Sequence, residues 1–395
     1  MSSNGIFDRV AIVGMGCTAF GERWDQSTGD LLIDATNEAY SSAGVDPDQV
    51  DAYWLGTTGS GISGLTLSLP LKIQYKPVTR LENMCATGSE ALRNACYAVA
   101  SGAYDLVCAV GVEKLKDSGF SGLTGGGPPS DGTDSGMTAP ANFSLLAPAY
   151  CKKYGVDEDT LKDVMARIAH KNHANGALNE RAQYQKEVSI EKIKSSPKVA
   201  GMLGIFDCSG VSDGSAAAIV CRSEDAHKYN DHPIYVKALS FVAGPAEGSM
   251  RQDYDYTTFP EVVVSAEDAY KQAGIEDARS QISMAEVHDC FTPTELVLME
   301  DLGFSERGQA WQDTLDGRFT LKGEQPINPD GGLKSFGHPI GASGLRMMYE
   351  MWLQLRGEAG PRQIENPKLG LTHNLGGAPG RCVSFVSIVG NEIAA

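Results

Sequence analysis

The stretch Ala39-Tyr40-Ser41-Ser42-Ala43-Gly44-Val45 returns 230 positions later as Ala269-Tyr270-Lys271-Gln272-Ala273-Gly274-Ile275. Each copy reads as a helix closed by glycine, then an acidic turn and a short apolar strand, at 51–55 and at 284–287. A second match joins 88–102 to 341–357, where Ala91-Leu92-Arg93 stands against Gly344-Leu345-Arg346, an offset of 253. Two matches in the same order imply a duplicated chain. Under the second offset Cys85 falls on His338, and each stands just before the start of its helix: Cys85-Ala-Thr-Gly-Ser-Glu and His338-Pro-Ile-Gly-Ala-Ser.

Working outward, 9–16 is an apolar run ending in glycine and reads as a buried strand. A helix over 30–43, a strand over 52–56, a helix over 89–103 and a strand over 106–111 follow. This alternation predicts an α/β layered fold. The halves are unequal, because 116–199 reads as an insertion: a Gly/Pro/Ser-rich loop at 121–136, then helices near 147–154 and 161–174. Gly125-Gly-Gly-Pro-Pro lacks the Gly-Lys-Ser/Thr ending of a phosphate loop and reads as a connection. The expected division is therefore 1–115 plus 200–228 for the first half, 116–199 for the insertion and 229–395 for the second half.

Lys and Arg number 33 against 50 Asp and Glu, a formal charge of −17. Nucleic acid is excluded as a partner, since phosphate backbones need a basic footprint. The opening residues show no signal peptide, and no apolar run is long enough to span a membrane, so cytoplasm is the expected compartment. Residues 152–198 carry a local excess of Lys and Arg. They could receive an anionic nucleotide or form a solvated helical face; His170 and His173 lie in the same stretch and read as its neighbours. The 9 cysteines form no Cys-x-x-Cys pair, and no cluster of ligand residues has metal spacing, so no metal is expected.

A helix start presents unpaired N–H groups and partial positive charge, which favour a thiolate and lower the thiol pKa. A histidine brought opposite can take the thiol proton. Cys85 is thus the candidate nucleophile and His338 the candidate base.

Four blocks, Asn83-Met84-Cys85-Ala-Thr-Gly-Ser89, His288-Asp289-Cys290-Phe291, Gly337-His338-Pro339 and Asn374-Leu375-Gly376-Gly377, resemble in order the active-site blocks of the thiolase superfamily. The turn Ser212-Asp213-Gly214 resembles that family's link between halves. His-Asp-Cys-Phe is the mark of the sterol-carrier-protein type. The resemblance implies a thiolase fold of duplicated α/β halves in five α-β-α-β-α layers, with a loop/helix insertion in the first half. It also implies cleavage of a 3-oxoacyl-CoA through an acyl-Cys85 intermediate. His338 would activate Cys85, and His288 would donate to the thioester oxygen as the enolate forms. The N–H groups of Cys85 and Gly376 would cradle the acyl oxygen. Common thiolases carry a second catalytic cysteine where this chain has Asn374. The resemblance moves that acid/base task to Cys290. Cys382 lies in an apolar run and reads as a core residue. Met84, Phe291, His373 and Asn374 are expected near the substrate.

Coenzyme A is the implied co-substrate, with no permanently bound cofactor. The family implies a homodimer, and relatives of this kind work with a small zinc-ribbon/OB-fold partner subunit. Benzoylsuccinyl-CoA is the favoured specific substrate, among aromatic, steroid or branched acids. The alternatives are a biosynthetic acetoacetyl-CoA thiolase, a retro-aldol carbon–carbon lyase on the same scaffold, a condensing ketosynthase and a non-catalytic carrier subunit. Retention of Cys85, Cys290 and His338 argues against the lyase and the carrier, and Cys290 would have no task in a ketosynthase.

Overall fold

A computed structural model describes residues 5–118 and 138–394; the Gly-rich loop expected at 121–136 lies outside them. The strands are β1 (Val10–Cys17), β2 (Ala52–Gly56), β3 (Val78–Leu81), β4 (Leu106–Glu113), β5 (Lys198–Ala200), β6 (Leu203–Gly204), β7 (Gly214–Arg222), β8 (Ile234–Ala243), β9 (Met284–Glu286), β10 (Leu369–Ala378) and β11 (Arg381–Gly390). Nine of them form one sheet in the order β3-β2-β4-β7-β1-β8-β11-β10-β9, and β5 and β6 make a separate hairpin.

Read outward from its middle, this order is the duplication. β1 and β8 meet only at Ala11–Tyr235 and Ile12–Ile234. On one side β1-β7-β4 run antiparallel and β4-β2 parallel. On the other, β8-β11-β10 run antiparallel and β10-β9 parallel. The first half adds β3 parallel to β2, and the second half has a rudiment of it in the parallel bridge from Ala285 to Ile327.

The repeated helices cover the outer faces. Helix Thr28–Ala43 opens with a capping box, in which Ser27 Oγ accepts from Asp30 N and Asp30 accepts from Ser27 N at 2.8 Å. It buries Leu31, Leu32, Ala35 and Ala39 on one half-sheet. Helix Pro260–Ala273 starts on proline and buries Val262, Ala266 and Ala269 against the other. Both end on a left-handed glycine, Gly44 (φ 63°) and Gly274 (φ 67°), as the matching sequences predict.

Between the half-sheets lie helices Thr87–Ala100 and Ser343–Leu355, joined in one apolar core through Ala91, Leu92, Leu345, Met348 and Trp352. The layers are therefore α-β-α-β-α. The two central helices start almost in contact: a Cβ at Gly88 would stand 2.7 Å from Gly341 O.

Residues 139–194 form helices Ala139–Phe143, Leu146–Tyr154, Glu158–Ala177 and Ile190–Lys194. They follow the first half in sequence but pack on the second: Leu146, Tyr150, Leu161 and Ile168 share a core with Val287, Leu296 and Phe291. The basic-face reading is corrected in part. Lys171 is buried and paired to Glu295 at 3.0 Å, and His173 is buried between Tyr184 and Phe206. His170 Nδ1 lies 2.8 Å from Val188 O. Among the described residues no helix is long and apolar enough to cross a membrane.

Candidate active site

The two central helix starts bring Cys85 and His338 together from opposite halves, and the loop after β9 adds His288. The ligating atoms of Cys85, His288 and His338 all lie within 4.8 Å of one another. The His288 and His338 rings pack edge to face with centroids 5.4 Å apart.

The His338 turn depends on Gly337 at φ 122°, a region that favours glycine. His338 N–H donates to Ser212 Oγ at 3.0 Å, and Ser212 in turn donates to Gln183 Oε1. The first-half turn thus holds the second-half histidine. His338 Nδ1 lies 2.7 Å from Ser343 Oγ, whose own hydrogen goes to Pro339 O at 2.9 Å. Ser343 therefore accepts from Nδ1–H, and Nε2 keeps its lone pair; it is buried without a partner. Burial and the Arg346 cation push His338 down to about 3. Burial, His338, His373 and Arg346 push His288 well below its usual range. Both rings are neutral.

Cys85 sits on a tight turn in which Met84 is left-handed (φ 51°) and half exposed. Met84 N–H donates to Glu82, and Thr87 Oγ1 donates to Met84 O at 2.6 Å. The expectation of a lowered thiol pKa is overturned. Burial, with Glu82 and Glu113 nearby, pushes Cys85 up to about 12, while the N–H groups of Gly377 and Cys85 only partly offset this. Among the described residues, Cys85, His288 and His338 are also close enough in space to act as ligands to one ion, a proximity that their spacing in the sequence does not show.

Gly376, expected beside Cys85, meets Asn83 and Met84: a Cβ there would stand 2.7 Å from Asn83 O. The N–H directed at the Cys85 sulfur belongs to Gly377, one residue further along. Asn374 points into the central layer and accepts from Ser89 Oγ at 2.5 Å. His373 is buried, with neither ring nitrogen partnered, and is pushed down to about 3 by burial.

Cys290 is buried just before helix Thr292–Asp301, its sulfur 3.9 Å from Thr294 Oγ1. Burial and the neighbouring Cys85 raise its pKa well above the usual thiol range. Phe291 faces Phe143 of the insertion, with centroids 4.9 Å apart. Cys382 is buried in β11. Asp289, between the two candidate residues, accepts from Leu333 N at 2.7 Å, Lys334 N at 3.2 Å and Asn172 Nδ2 at 2.8 Å. It ties the His288–Cys290 loop both to the short helix before His338 and to the insertion. Sequence reading missed Ser343, Gly377 and the role of Asp289; the serine five residues after His338, at a helix start, was the available signal.

The family model described as "Thiolase, N-terminal domain" matches residues 10–224, and "Thiolase C-terminal domain-like" matches 245–389. The acetyl-CoA acetyltransferase of Methanothermobacter thermautotrophicus is 37% identical over 94% of this chain and 97% of its own length. Human sterol carrier protein 2 is 32% identical over 93% of this chain and 70% of its own length. Among solved structures, an Ltp2-ChsH2(DUF35) aldolase chain is similar in fold, with a TM-score of 0.83, 24% identity and coverage of 99% of this chain and 100% of that one. With both halves matched and the His-Asp-Cys-Phe loop in place, this chain belongs to the sterol-carrier-protein type of the thiolase superfamily, and is an acyltransferase that takes coenzyme A as co-substrate.

Proposed function

We propose that the chain cleaves a 3-oxoacyl-CoA with CoA through an acyl-Cys85 intermediate. The observation that carries this reading is the convergence of Cys85, His288 and His338 from two halves onto one point. Cys85 gives its proton to His338 Nε2 as its sulfur attacks the 3-oxo carbon. Because the resting thiol lies near 12 and His338 near 3, the proton moves with the attack and not before it. The C2–C3 bond breaks, its electron pair passes to C2, and His288 donates to the enolate oxygen. Cys290 S–H protonates C2. The Cys290 thiolate then takes the proton of incoming CoA, whose sulfur attacks the acyl carbon while the N–H groups of Cys85 and Gly377 hold the acyl oxygen. Cys85 leaves and recovers its proton from His338.

The acetyl-CoA acetyltransferase relatives favour a short acyl group, and benzoylsuccinyl-CoA is the competing arm. Incubation of each 3-oxoacyl-CoA with CoA, read by chromatography of the acyl-CoA products, decides between them. Cys85→Ala should abolish cleavage; undiminished turnover removes Cys85 from the scheme. Cys290→Ala should still acylate in a single turnover but cycle slowly.

The assembly belongs to the same proposal. Among the described residues β3 is an edge of the sheet, and close to it in sequence Ile62, Leu65, Leu69 and Tyr75 are exposed apolar side chains. A second copy covering this face gives the homodimer; a zinc-ribbon/OB-fold subunit is the other occupant, a reading supported by the pairing named in the Ltp2-ChsH2(DUF35) aldolase. Light scattering should give twice the chain mass, and Leu69→Asp should lower it; a monomeric wild type overturns the dimer. The division into 1–115 plus 200–228, 116–199 and 229–395 is proposed on the same duplication.

A further inference from the structure

We propose that Cys85, His288 and His338 are also a binding site for one soft divalent cation of the Zn²⁺ type, which switches the nucleophile off while bound. The site shares residues with the acyl-transfer reading above but does not depend on that reaction.

Three features point to it. The ligating atoms already lie within 4.8 Å of one another. Tetrahedral Zn²⁺, with bonds of about 2.0–2.3 Å, needs its ligands roughly 3.3–3.8 Å apart. The contraction is small, and the Met84–Cys85 turn, partly exposed, can supply it. Second, His338 Nε2 is buried without a partner on a ring 1% exposed, so its lone pair is available in a dry setting, and His288, also 1% exposed, brings a second imidazole beside it. Third, Ser343 holds His338 Nδ1–H at 2.7 Å. This is the outer hydrogen bond that fixes the tautomer of a ligating histidine.

Two imidazoles and a thiolate leave a fourth position for water or an incoming thiol. Binding replaces the Cys85 S–H bond with an S–metal bond and releases one proton to solvent. No oxidant or reductant is involved. The sulfur lone pair that would attack a carbonyl is then held by the ion, so the inhibition is reversible by chelation.

Co²⁺ titrated into chelator-treated protein should give a thiolate-to-cobalt charge-transfer band that saturates at one ion per chain. Zn²⁺ should displace the Co²⁺ and raise the melting temperature. Cys85→Ser should remove the band, and Ser343→Ala should weaken Zn²⁺ binding by about 10–100-fold. Cys151→Ser, at a partly exposed cysteine elsewhere, should leave the band unchanged. If Cys85→Ser fails to fold, His338→Gln reads the same loss of affinity. Absence of the band, or its persistence in Cys85→Ser or in His338→Gln, overturns the proposal. Acyl transfer by metal-free protein is measured separately, so failure of the thiolase reading and failure of the metal site are distinct results.

Discussion

The two helix starts that meet at the site are equivalent in topology and opposite in character. The Cys85 turn is partly open and carries a left-handed Met84. The His338 turn is fully buried, and its backbone and ring are both fixed by serines, Ser212 from one half and Ser343 from its own helix. Duplication supplied two matching platforms. One was left loose for a group that must form and break bonds. The other was locked for a group that must only accept and return a proton.

The largest test of this contrast is His338→Asn. It keeps a buried polar group but removes the base, and kcat/KM should fall by about 10²–10⁴ while folding is retained. A loss below tenfold would mean that Cys85 does not need the locked partner. Next is the pH profile of Cys85 alkylation in free protein. A thiol pushed up to about 12 should react about tenfold faster per pH unit from neutrality upward, without a plateau below pH 10. A plateau near pH 7 would show a preformed thiolate. The smallest effect should come from Gly376→Ala. The added Cβ, 2.7 Å from Asn83 O, must push the Cys85 turn away from β10. That should cost about 1–3 kcal/mol in urea unfolding. An unchanged midpoint would show that the loose side gives way freely.

Much of this was legible in the sequence, because the repeats mark backbone events. Gly44 and Gly274 end equivalent helices for the same steric reason, and β2 and β9 follow them. The pairing of Cys85 with His338 followed from the offset. What could not be read depends on neighbours distant in sequence. The helix Glu158–Ala177 looks like a solvated basic face until the second half buries Lys171 against Glu295. The thiol shift was misread because helix-start charge is local and visible, whereas desolvation comes from the whole fold and here outweighs it. The Gly377 N–H is aimed by a local turn of the backbone (φ 113°) inside the paired β10–β11 hairpin, which composition does not reveal.

The bare contact between the two central helices has a further consequence. A Cβ at Gly88 would meet Gly341 O at 2.7 Å, and one at Gly341 would meet Val112 O of β4 at 2.7 Å, so close main-chain approach helps set the distance between nucleophile and base. A ruler made of backbone is insensitive to side-chain drift. The walls that choose the acyl group can therefore be rebuilt residue by residue while the spacing on which the chemistry depends stays the same.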